Sequence, residues 1–108
     1  MTPDELNLAS RLVALEEWEW RPGMLHCLGV NPKDYGRVPN LHDPGTAGIL
    51  LAMLREAAGY GQDVIAAWYS RSEAWCVIVE VGREGDFVSG TDTRLGVAVA
   101  RVLLEVGR

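Results

Sequence analysis

The chain of 108 residues has the length of one domain, and its 48% hydrophobic content supplies a core without disulfide or metal staples. Fifteen acidic residues against ten basic ones, a net charge of −5, lack the basic footprint of nucleic-acid binding and count against a polyanionic partner. No apolar stretch approaches the roughly eighteen residues of a membrane span, and MTPDELNLAS lacks the basic and apolar regions of a secretory leader, so a cytoplasmic location is expected.

Thr2-Pro3-Asp4-Glu5 reads as a capping box with Pro at the first helical position, the Thr2 hydroxyl taking the Glu5 amide. Leu6, Ala9, Leu12, Val13 and Glu16 then follow at helical steps, so a first helix is expected to cover one face of a sheet. Glu17 to Arg21 alternates acid and Trp, as a half-wet strand does, and Pro22-Gly23 turns the chain into a second apolar run, Met24 to Val30. The segment from Gly29 to Leu41, with Pro32, Gly36 and Pro39, reads as the longest irregular connection and the expected mobile surface.

Leu41-His42-Asp43-Pro44 opens a second helix, with Asp43 as cap and Ala47, Leu50, Leu51, Leu54 and Ala58 on its buried face. VIAAWY and AWCVIVEV, joined by Ser70 to Glu73, form the central antiparallel hairpin, with Trp68 and Trp75 at a cross-strand position beside the turn. The unbroken apolar run Ala74 to Val79 is expected to be covered on both sides. Gly82 to Asp86 turns into a short strand at Phe87-Val88-Ser89, and Thr91 or Asp92 caps a third helix. Most of that helix's circumference is apolar, which suits either an oligomer contact or a neighbouring helix of the same monomer. The expected fold is a single α+β domain over residues 1–108. It has a mostly antiparallel sheet of about five strands sandwiched by three helices, in the order α-β-β-α-β-β-β-α.

These residues resemble a known family. The run Leu41 to Ala57, the Trp-bearing hairpin after it and the small-residue helix with Gly96, Ala98 and Ala100 resemble the phage ABA-sandwich domain, a family of short phage and prophage proteins. Glu17 to Leu25 is similar to the WxWxPGM-like segment that precedes them there. The resemblance spans roughly the whole chain and implies a fold and a viral or prophage origin. No activity is assigned to that family, so it implies no catalytic residue.

The polar residues offer little chemistry. His26 and Cys27 are adjacent in an expected strand, point to opposite faces and cannot share a metal ion; no metal site and no cofactor is expected. Cys27 and Cys76 read as buried thiols, without the basic or helix N-terminal setting that activates a nucleophile. His42 and Asp43 are the candidate ligand site, because the free amides of a helix start attract anions, although Asp43 as a cap opposes one. Trp20, Arg21, Tyr35 and Arg37 are the candidate protein-contact residues, since Trp, Tyr and Arg dominate interface energy. The leading expectation is a non-enzymatic phage or prophage accessory protein that binds a protein partner or itself. The rivals are a small-molecule or nucleotide-binding domain or minimal enzyme centred on His42 and Asp43, and an inhibitor of a host defence protein.

Overall fold

The computed structural model describes residues 1–13, 39–59, 62–81 and 85–106. Its first helix, α1 (Pro3–Val13), starts where the capping box places it. The Glu5 amide donates to Thr2 Oγ1 at 3.2 Å, and the Thr2 amide donates to Glu5 Oε1 at 2.9 Å. The second helix, α2 (Pro44–Ala58), starts with equal economy: Asp43 is extended and accepts the Gly45 amide at 3.2 Å, and Pro44 takes the first turn, where its missing N–H costs nothing.

Three strands follow, β1 (Val64–Tyr69), β2 (Ala74–Val81) and β3 (Asp86–Asp92), all antiparallel in the order β1-β2-β3. Trp68 stands directly opposite Trp75, with ring centroids 5.7 Å apart and an edge-to-face angle of 61°, as the hairpin reading requires. The four-residue turn closes through Glu73, whose φ of 50° is left-handed. β3 runs past the expected Ser89 to Asp92, and the third helix, α3 (Leu95–Val106), therefore begins later than its candidate caps suggest. Asp92 still serves the helix start, accepting the Arg94 amide at 3.0 Å.

Two expectations are corrected. The described residues hold three strands rather than five, in the element order helix, helix, strand, strand, strand, helix. The two strands expected within 17–30 lie outside the described residues. Nor do the described helices enclose the sheet from both sides. Alternation along β2 sends Val77 and Val79, both fully buried, into the core, while Cys76 and Ile78 point the other way and are only partly buried. The unbroken apolar run thus serves two faces, only one of which the described helices cover.

The hub of the core is α3. It packs on β2 and β3 with one side and on α1 and α2 with the others, which buries every residue from Gly96 to Ala100 and from Val102 to Leu104. That arrangement decides between the two readings of its wide apolar surface: neighbouring elements of the same monomer absorb it. Helix α1 lies mainly against α3, with Leu8, Ala9 and Leu12 inward; Leu8, absent from the expected stripe, is in the core, and Leu6 is at its margin. On α2 the buried face is Thr46, Ala47, Leu50 and Leu54, and Gly48, Ala52, Arg55 and Glu56 face outward as expected.

Candidate functional site

Three places on the described surface could support function, and the first is the start of α2. Here both expected site residues already have partners. The Asp43 carboxylate takes the Gly45 amide and lies 3.4 Å from the Thr46 hydroxyl, so it is occupied in capping. His42 reaches across 37 positions of sequence to α1, where its Nε2 meets Glu5 Oε2 at 2.5 Å, and its amide donates to Asn40 Oδ1 at 3.1 Å. The pair fastens the first turn of α1 to the entry of α2, with only 27% of the His42 side chain and 13% of that of Glu5 exposed.

Burial alone would raise the Glu5 pKa. Hydrogen bonds from the Thr2 amide, His42 and the Thr2 side chain, together with the His42 charge, outweigh it and lower the pKa from 4.5 to about 2. A carboxyl depressed in the folded state contributes stability that is complete above pH 4.5 and disappears as the pH falls towards 2. Glu5→Gln keeps an oxygen for the Thr2 amide but removes the charge. Urea denaturation should show the variant less stable than wild type at neutral pH, with the gap closing between pH 4.5 and pH 2. Two pH profiles that run parallel through that window would contradict this assignment.

The second place is a groove of about 690 Å³ where α2 ends, lined by Arg55, Glu56, Gln62 and Asp63 among others. Gln62 Oε1 is buried there without a hydrogen-bond partner. The lining carries both signs of charge and no nucleophile, so it defines no particular ligand. Among the described residues no group of three or more His, Cys, Asp or Glu is placed to hold a metal ion.

The third place is the sheet face turned away from the helices. Strand alternation brings Ile65, Ala67 and Tyr69 of β1, Cys76 and Ile78 of β2, and Phe87 of β3 onto it, in cross-strand rows Ile65–Ile78–Ser89 and Ala67–Cys76–Thr91. Exposure is 55% for Ile65, 53% for Tyr69 and 66% for Phe87, and the only charged side chain in these strands on this face is Glu80. Trp68, 48% exposed, stands at the turn end of β1 on the opposite side. Exposed large apolar side chains gathered on one face are a general mark of interaction surfaces. Reading the central run as covered on both sides hid this face; the period of two in β1 and β3, followed outward from Ile78, was the signal for it.

Of the other candidates, Trp20, Arg21, Tyr35, Arg37, His26 and Cys27 lie outside the described residues. Cys76 is a partly buried free thiol on the open face. No helix among the described residues is long and apolar enough to cross a membrane. The chain matches no family model, no curated protein and no solved structure.

Proposed function

We propose that this is a small accessory protein without enzymatic activity that works in the cytoplasm by docking another polypeptide, or a second copy of itself, on the open face of its sheet. The observation that carries the reading is the exposure of Ile65, Tyr69 and Phe87 on the same face as partly buried Ile78. Aromatic side chains such as Tyr69 and Phe87 are enriched at protein interfaces, Tyr among the residues that carry most of the binding energy, and an apolar sheet face left to water is otherwise a liability. The phage or prophage setting is part of the proposal and is supported by the likeness of residues 41–57, the Trp hairpin and the small-residue helix to the phage ABA-sandwich domain.

The test compares wild type with the double variant Ile65→Ser, Phe87→Ser in affinity capture from a bacterial host, followed by measured binding of the retained polypeptide. Both positions are exposed, so melting should hardly change while affinity falls roughly 10-fold or more. A partner bound equally well by wild type and variant would sink the reading.

A further inference from the structure

We infer that β1 is the edge through which two copies of the chain join, antiparallel, into one continuous sheet whose two-fold axis passes beside Ala67. The inference goes beyond the reading of the open face: it assigns the edge at that face's margin to a second copy of the chain.

Among the described residues β1 is hydrogen-bonded on one side only, by β2. An edge strand offers a row of unpaired amides and carbonyls, and proteins usually blunt it with charge, proline or a bulge. The other edge, β3, is blunted by Asp86 and Asp92 at its ends and Gly90 within. β1 has no such device: VIAAWY contains neither charge nor proline, and its register on β2 is unbroken. Two copies that each carry a net charge of −5 can meet at β1 without opposing carboxylates inside the strand, which β3 does not allow.

The occupant follows from charges at the two ends of β1. Asp63 precedes the strand and is held in line with it by its carbonyl, which accepts the Glu80 amide at 3.0 Å; Arg71 lies two residues past the strand end, and both are exposed. Directly opposed residues of antiparallel strands share a face, so a symmetric pairing must centre on a single residue. Centred on Ala67, the pairing brings Asp63 beside the turn that carries the second copy's Arg71, within reach of that long side chain, at both ends. It also sets Ile65 against Tyr69 on the open face and Ala66 against Trp68 on the other, a β-branched or small residue facing each aromatic. Centring one residue later would carry Asp63 past Arg71 to the part of the turn that leads back to β2, and one residue earlier would leave it facing Tyr69, in both cases without a charge partner. Of these three registers the one on Ala67 alone combines complementary shapes with complementary charges.

The experiment is sedimentation equilibrium of the full chain, its Asp63→Arg and Arg71→Asp variants and the double swap. Each single reversal turns two attractive pairs into two repulsive ones and should weaken dimerisation about 10-fold, more at low salt, while the double swap restores it. In a Cys27→Ser, Cys76→Ser background, Ala67→Cys should give a disulfide-linked dimer on mild oxidation. Residues opposed on neighbouring strands lie within disulfide reach, whereas Ala66→Cys, displaced by two positions, should not cross-link. A monomer at every concentration into the millimolar range overturns the inference, as does a dimer that ignores the charge swaps and fails to cross-link at position 67. Either result leaves partner capture through Phe87 as a separate measurement, so the two readings fail independently.

Discussion

Gly96→Ala lowers the stability of the protein by roughly 3 kcal/mol, an overpacking effect at the upper end of its usual range. That is enough to move the thermal midpoint by more than about 10 °C in a domain of this size. Alanine is the better helix former, and within α3 the exchange would by itself stabilise by up to about 1 kcal/mol. The opposite sign is expected because a Cβ at Gly96 would overlap the carbonyl oxygen of Leu41 and crowd its carbonyl carbon at 3.0 Å. Both are backbone atoms of the segment that leads into α2, so no side-chain rotation relieves the overlap. Either α3 must withdraw from the core or Leu41, itself buried, must be displaced. Gly48→Ala is the control: Gly48 lies on the exposed side of α2 with no atom within 4 Å of an added Cβ. There the same exchange should stabilise by about 0.5–1 kcal/mol. Thermal and urea denaturation of the two variants should therefore move in opposite directions. A Gly96→Ala protein that melts at or above wild type would show that the α3–Leu41 approach is not as close as the structure has it.

The features legible in the sequence share one property: they are local. Thr2, Pro3 and Glu5 hold the start of α1 within one turn, Asp43 and Pro44 do so for α2, and the four polar residues between VIAAWY and AWCVIVEV leave Trp68 and Trp75 little choice but to face each other. What was not legible depends on contacts between distant segments. His42 pairs with Glu5 across 37 positions, and neither neighbourhood signals the other. The central place of α3 follows from how Gly90 and Gly96 let β3 and Leu41 approach it, and close approach leaves no periodicity to read. An apolar run such as Ala74 to Val79 reports that both faces of a strand are greasy, not which of them a helix covers. The open face is not legible for that reason, and the expected protein-contact residues, Trp20, Arg21, Tyr35 and Arg37, lie outside the described residues.

Leu54→Ala should cost about 3–4 kcal/mol, whereas Ile65→Ala, which removes a comparable side chain, should cost well under 1 kcal/mol. The contrast follows from how α2 is anchored. Its inner face holds four buried residues, of which Thr46 and Ala47 are small, so Leu50 and Leu54 supply most of the apolar surface that α2 buries in the shared core. Leu54 is 0% exposed, and truncating it both forfeits burial and leaves a cavity that a helix held at its other end by the Asp43 cap and the His42–Glu5 pair cannot easily collapse. Ile65, at 55% exposure, stands on the open face, where water replaces the lost atoms. A domain of this length has a total stability on the order of 5–15 kcal/mol, so the first variant should still fold but with its urea midpoint strongly lowered. Hydrogen exchange adds a second reading: amides of α2 should lose protection in Leu54→Ala before those of β2, because the helix is attached mainly through α3. Equal losses for Leu54→Ala and Ile65→Ala would mean that the face carrying Ile65 is covered, and its proposed use for docking would have to be abandoned.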